Sequence, residues 1–263
     1  MTETTTSADG TRIAFDASGS GPALVIVGGA FSTRQAAGPL AGQLGDRFTV
    51  IAYDRRGRGD SGDTLPYSVD RELEDLAAVI DAAGGTALVY GHSSGAILSL
   101  LAAARHLPIT KVAAYEPPWT FDPAAPPHES ALPKVQAALA AGDRETAAEL
   151  FMAETGMPPA AIDQAKQQPF WPAMVAIAPT AEYDLTIVAD GRVPADVLSA
   201  IDIPALLIDG LLSPPWAARA TDAAVSAIRN ARRLGMEGQD HGVDQAVLAP
   251  VLAEFFLQPK QGV

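Results

Sequence analysis

The chain is 263 residues long, 48% of them hydrophobic, with a formal net charge of −13 at pH 7 and no cysteine. That length accommodates one α/β domain carrying a sizeable insertion. The acidic balance argues against nucleic acid and anionic membrane surfaces as partners, and the lack of cysteine excludes disulfides, thiolate nucleophiles and Cys-ligated metals.

Residues 1–7 are polar and lack the basic and apolar regions of a secretory signal, so a cytoplasmic location is expected. Asp9-Gly10 and the alternating Arg12-Ile13-Ala14-Phe15 predict an opening hairpin. The continuous apolar run at 23–27 predicts a strand covered on both faces, ending in Gly28-Gly29-Ala30-Phe31. A further strand at 48–53 runs into the charged loop Asp54-Arg55-Arg56-Gly57-Arg58-Gly59-Asp60-Ser61-Gly62. Leu73, Leu76, Ala77 and Ile80 then recur at helical spacing until Gly84-Gly85. Ala87-Leu88-Val89-Tyr90 reads as a buried strand that stops at Gly91-His92-Ser93-Ser94-Gly95 and continues as an apolar helix at 96–104. Residues 112–115 read as another central strand, closed by Glu116-Pro117-Pro118-Trp119. From there to residue 200 the texture changes to Pro-punctuated helical patterns at 132–141, 145–155, 160–168 and 170–178. Strand, helix, strand and helix follow at 205–209, 215–228, 231–236 and 243–256.

Gly91 and Gly95 flank Ser93 at G-x-S-x-G spacing. A sharp strand-to-helix turn needs neighbours without Cβ atoms, and it leaves one hydroxyl standing clear. The N–H of Ser94, at the start of the helix, faces the place where an oxyanion would form. With strand, motif and helix in succession, the chain resembles the α/β-hydrolase superfamily over residues 11–257. The resemblance implies an α/β fold with a mostly parallel central sheet flanked by helices. Residues 1–118 and 201–263 would form its core and residues 119–200 an inserted helical lid. In that superfamily the loop after the run at 23–27 usually reads His-Gly and then a residue whose N–H is the second oxyanion donor. The resemblance assigns this role to Ala30, with Gly28 standing in the histidine's place; a plain Gly-rich turn is the alternative. The charged loop at 54–62 resembles one whose ions brace a turn.

A serine hydroxyl needs a base, and imidazole suits that task near neutral pH. His92 lies inside the elbow, where it flanks Ser93, His106 ends the elbow helix, and His128 sits in a Pro-rich loop. His241, in Gly238-x-x-His241-Gly242, resembles the superfamily's histidine loop. For the acid, most members place Asp three residues beyond a glycine after the strand at 205–209. Counting from Gly210 gives Ser213, which carries no charge. A subset that includes zearalenone lactonase places Glu directly after the strand following the elbow helix, where Glu116 stands. A carboxylate ending a buried strand needs a partner, and a transient imidazolium provides one. Asp209 is the alternative, with Asp240 and Asp244 behind it.

The expected chemistry is acyl transfer on a small, largely apolar ester or lactone through Ser93, His241 and Glu116, with Ala30 and Ser94 as the oxyanion hole. Phe31, Trp119, Trp171 and Trp216 are the expected substrate-facing aromatics. No metal-ligand cluster or phosphate loop is present in the sequence, so no cofactor is expected. The same triad also serves perhydrolase or haloperoxidase-like chemistry, carbon–carbon bond hydrolysis and hydroxynitrile cleavage, and the fold also occurs as an idle binding protein. Dehalogenase and epoxide hydrolase chemistry needs a carboxylate where Ser93 stands.

Overall fold

The computed structural model describes residues 2–120 and 129–259. Among them are strands β1 (Glu3–Thr6), β2 (Arg12–Gly19), β3 (Ala23–Val27), β4 (Thr49–Tyr53), β5 (Ala87–His92), β6 (Ile109–Tyr115), β7 (Ala205–Gly210) and β8 (Ala231–Met236). They form one sheet in the order β1-β2-β4-β3-β5-β6-β7-β8. The first two strands pair antiparallel as the expected hairpin, β2 lies antiparallel to β4, and every other pairing is parallel.

Parallel neighbours require crossovers, and helices supply them. They are α1 (Gly38–Leu44), α2 (Val69–Ala82), α3 (Ser94–Ala104) and α10 (Pro215–Ala227), with α11 (Gln245–Leu257) closing the chain. Side chains alternate along β3 between the two layers: Val25 and Val27 pack with Leu76, Ile97 and Ala224, while Leu24 and Ile26 pack with Leu40, Leu248 and Phe256. That double burial explains the unbroken apolar runs in the sequence.

From β3 the chain goes to β4 on one side and later to β5 on the other. Loops leaving the carboxyl ends of β3 and β5 therefore part, and such a switch point is where open α/β sheets bind ligands. Both glycine-bearing loops, 28–31 and 91–95, lie there.

Between β6 and β7 stand α4 (Leu132–Ala140), α5 (Arg144–Glu154), α6 (Pro159–Ala165), α7 (Trp171–Ile177), α8 (Ala181–Val188) and α9 (Ala195–Leu198). The first four match the predicted helical patterns. Helices α8 and α9 lie outside those patterns: in α8 the charged Glu182 and Asp184 interrupt the apolar spacing, and α9 is a single turn. This segment has small cores of its own, one around Val135, Phe151 and Leu185 and one around Met152, Ile162 and Trp171. No helix among the described residues is long and apolar enough to cross a membrane.

Candidate active site

The turn from β5 to α3 is as tight as its two glycines suggest. A Cβ on Gly91 would lie 2.2 Å from the Gly95 carbonyl oxygen, and one on Gly95 would lie 2.2 Å from the Val27 oxygen and 2.6 Å from that of Gly28. The helix start thus packs directly on the backbone leaving β3. These neighbours are main chain and cannot rotate away, so Gly95→Ala is expected to lower stability by roughly 3 kcal/mol. A urea midpoint within error of wild type would contradict it.

Ser93 has φ 57° and ψ −124°, a conformation that costs a non-glycine residue of order 1–3 kcal/mol. Its N–H donates to the Tyr115 carbonyl at 2.9 Å, and its carbonyl accepts the Ala96 N–H at 2.8 Å. Phe31 and Glu116 also have positive φ, 52° and 43°. Three of the five non-glycine residues with positive φ among the described residues therefore belong to the loops leaving β3, β5 and β6, the other two being His106 and Ala189.

The structure brings Ser93, His241 and Glu116 into one hydrogen-bonded line. His241 Nε2 lies 3.1 Å from Ser93 Oγ, and Nδ1 lies 2.7 Å from Glu116 Oε2. The second carboxylate oxygen accepts the Gly210 N–H at 2.7 Å. Burial of Glu116 works to raise its pKa, but His241 first, then the nearby Ser213 hydroxyl and the Gly210 N–H, together outweigh it and hold the carboxyl below its ordinary value. The Ser213 hydroxyl approaches the same carboxylate without closing a hydrogen bond of normal geometry. Ser213, three residues past Gly210, therefore lies beside the Glu116 carboxylate.

The other carboxylates are engaged elsewhere. Asp209 is held at both oxygens by Arg233, at 2.8 and 2.7 Å. Asp240 Oδ1 accepts the Gly242 N–H at 2.8 Å, and Asp244 caps α11 by accepting the Ala246 N–H at 2.8 Å. Of the other histidines, exposed His106 lies 4.0 Å from Asp202, and His128 is outside the described residues.

His92 stacks on Tyr115 with ring centroids 5.3 Å apart and lies 5.1 Å from the His241 ring. Burial first, and then the neighbouring His241, push its pKa from 6.5 down to about 3. The folded chain keeps this imidazole neutral where the unfolded chain protonates it. As pH falls between those values the unfolded state alone gains a proton, so stability falls by up to about 1.4 kcal/mol per pH unit. His92→Gln is expected to flatten that limb in urea unfolding between pH 6.5 and 4. An unchanged slope would assign the acid sensitivity to other groups.

Ser94 opens α3, so its N–H has no acceptor earlier in the helix. Ala30 lies in the turn after β3, and its N–H makes no hydrogen bond to backbone or side chain among the described residues. Of the four expected substrate-facing aromatics, two line up near these groups. The Trp216 ring lies 5.9 Å from the His241 ring, and Phe31 meets Phe151 edge-on at 5.0 Å. Phe31 also lines a cavity of about 530 Å³ with Phe170, Met174 and Ile177. Trp119 and Trp171 are instead core residues, 3% and 6% exposed, the first in the main core and the second in that of the inserted segment. Both positions follow from size: a large aromatic gains most by complete burial.

Beneath the two glycine loops lies a buried ion network. Arg55 pairs with Glu72 at 2.6 Å and with Asp184 at 2.9 Å, and Arg58 pairs with Asp184 at 2.7 Å. The loop at 54–62 therefore braces as expected, but its partner Asp184, from α8, was not foreseen. Its sequence neighbours Tyr183, Leu185 and Ile187 are largely apolar, but nothing in their spacing points to an arginine partner. No group of three His, Asp or Glu side chains among the described residues converges as metal ligands.

Residues 23–250 match the family model described as the alpha/beta hydrolase family. A crystal structure of an alpha/beta hydrolase from Sphaerobacter thermophilus superposes with a TM-score of 0.91 at 51% identity, covering 97% of this chain and 100% of that one. An enol-lactonase from Burkholderia xenovorans shares the fold, with a TM-score of 0.73 at 20% identity over 95% of this chain and 98% of its own. Among curated relatives, the 2-(acetamidomethylene)succinate hydrolase of Mesorhizobium japonicum is 41% identical over 34% of this chain and 32% of its own length. The N-formylmaleamate deformylase of Pseudomonas putida is 36% identical over 38% of this chain and 39% of its own. Both matches thus span between 32% and 39% of each protein.

Proposed function

The chain belongs to the alpha/beta hydrolase family and is a hydrolase, and on that premise we propose that it cleaves an ester or lactone of a small, largely apolar substrate through a Ser93–His241–Glu116 triad. The observation that carries this reading is the continuous line from Ser93 Oγ to His241 Nε2 at 3.1 Å and from His241 Nδ1 to Glu116 at 2.7 Å.

Ser93 Oγ attacks the acyl carbon while His241 Nε2 takes its proton, and Glu116 stabilises the imidazolium that forms. The carbonyl oxygen gains its charge between the N–H groups of Ala30 and Ser94. Collapse of the tetrahedral intermediate breaks the bond to the leaving oxygen, which receives the proton from His241. Water, deprotonated by the same imidazole, then releases the acid and restores Ser93. Trp216, Phe31 and the exposed Leu211 and Leu212, on the loop that carries Ser213, favour an apolar substrate. The test is a series of p-nitrophenyl esters and lactones of rising chain length, with a fluorophosphonate to label the serine. Turnover together with one label per chain, located on Ser93, supports the reading; label without turnover of any ester or lactone redirects it.

A second reading is cleavage of a carbon–carbon or N-acyl bond by the same residues. It draws on the partial matches to relatives named for 2-(acetamidomethylene)succinate hydrolysis and N-formylmaleamate deformylation. Turnover of such compounds but not of simple esters would favour it.

A further inference from the structure

The peptide that carries the Ala30 N–H has the Gly29 carbonyl at its other end, and in a trans peptide the two point in opposite directions. Whatever holds that carbonyl aims that N–H. Here Arg58 Nη1 donates to it at 2.6 Å and the Ser32 hydroxyl at 2.7 Å. Arg58 is fixed in turn through Nη2, which donates to Asp184 Oδ2 at 2.7 Å. The other oxygen, Oδ1, accepts the Ser94 hydroxyl at 2.7 Å and Arg55 Nη1 at 2.9 Å. That same Arg55 nitrogen lies 3.3 Å from the Gly28 carbonyl. One carboxylate, 1% exposed, thus joins the loop leaving β3 to the first residue of α3, and it comes from α8 in the inserted segment.

We propose that Asp184 is a positioning residue for the oxyanion hole, setting the Gly29–Ala30 peptide through Arg58 and the first N–H of α3 through the Ser94 hydroxyl. The inference rests on the reading of Ala30 and Ser94 as the oxyanion donors. Around this point two guanidinium groups, Arg55 and Arg58, face two carboxylates, Glu72 and Asp184. Neutralising Asp184 leaves a surplus buried cation, and Arg58 is then free to turn from Gly29. Donors aimed at an oxygen whose charge appears only in the transition state act on kcat rather than on KM. The oxyanion hole is accordingly complete only when α8 is docked, which gives the inserted segment a part in the chemistry beyond covering it.

The test is Asp184→Asn in the full chain, assayed on a p-nitrophenyl ester for kcat, KM and pH dependence. Affinity for a trifluoromethyl ketone, whose adduct with the serine carries the oxyanion, is measured in parallel. The expected result is a kcat lower by about 10²-fold with KM within about twofold, and a ketone affinity lower by a similar factor. The pH at half-maximal kcat/KM stays in place, because Asp184 does not touch His241 or Glu116. Ser94→Ala keeps every ion pair and removes only the hydroxyl tether; it is expected to repeat the pattern at about 10-fold, and it decides the question if the asparagine variant does not fold. Unchanged kcat in the folded variant, or a lower kcat with ketone affinity intact, overturns the positioning role alone. Wild-type chain that turns over no ester, or whose turnover survives Ser93→Ala, overturns the underlying reading and the inference with it.

Discussion

Ser93→Ala is expected to lower kcat on a p-nitrophenyl ester by about 10⁵- to 10⁶-fold, the loss typical of removing the nucleophile from a serine triad. The size follows from the geometry. With Oγ gone, the His241 imidazole has no proton to take, and no acyl-enzyme forms. What remains is the oxyanion pair and substrate binding, which by themselves sustain only about 10³- to 10⁴-fold over water. The change should not unfold the chain, because the Ser93 side chain makes no structural hydrogen bond besides that to His241 among the described residues, and alanine inherits the same φ of 57°. Thermal unfolding within a few degrees of wild type would show that the loss is chemical. A variant retaining more than about a tenth of wild-type kcat would place the nucleophile elsewhere.

How much of this was readable in advance depends on distance along the chain. The elbow was legible because its whole cause is local: an apolar strand, two glycines and an apolar helix within 20 residues of sequence, with steric contacts as short as 2.2 Å explaining the glycines. Glu116 was singled out by two arguments together: a charge ending a buried strand needs a partner, and the chain resembles a subset that carries Glu at that place. Asp184 was not. Its partners Arg58, Arg55 and Ser94 lie 126, 129 and 90 residues away, and neither periodicity nor composition links them. Trp119 and Trp171 failed as substrate-facing residues because residue type does not say which face of a segment turns inward. Each instead fills a core. The fold and the elbow turn thus come from local pattern and chain order, whereas the ion network beneath the elbow comes from packing between distant elements.

Glu116→Gln is expected to lower kcat by about 10⁴-fold, and Asp209→Asn to leave it within about tenfold, although both carboxylates end adjacent buried strands. A glutamine at 116 keeps the volume and, through its carbonyl oxygen, keeps the Gly210 N–H. Its amide nitrogen, however, donates to His241 Nδ1, and the ring proton is then driven to Nε2. That nitrogen faces Ser93 Oγ at 3.1 Å and can no longer accept its proton. The loss is therefore one of tautomer as well as of charge. Asp209 has no such leverage, because Arg233 occupies both its oxygens. Ser213 supplies a sharper form of the same test. Its hydroxyl already lies beside the Glu116 carboxylate, so Ser213→Asp in the Glu116→Gln background sets a charge near the place that was neutralised. Recovery of about 10-fold or more in kcat would mean that His241 needs a buried negative charge behind Nδ1, whichever strand delivers it. No recovery, with the double variant folded, would mean that the reach of the glutamate side chain and its anchor on Gly210 are needed as well. A 10⁴-fold loss in Asp209→Asn with Glu116→Gln near wild type would reverse the assignment, and would require Arg233 to release Asp209 during turnover.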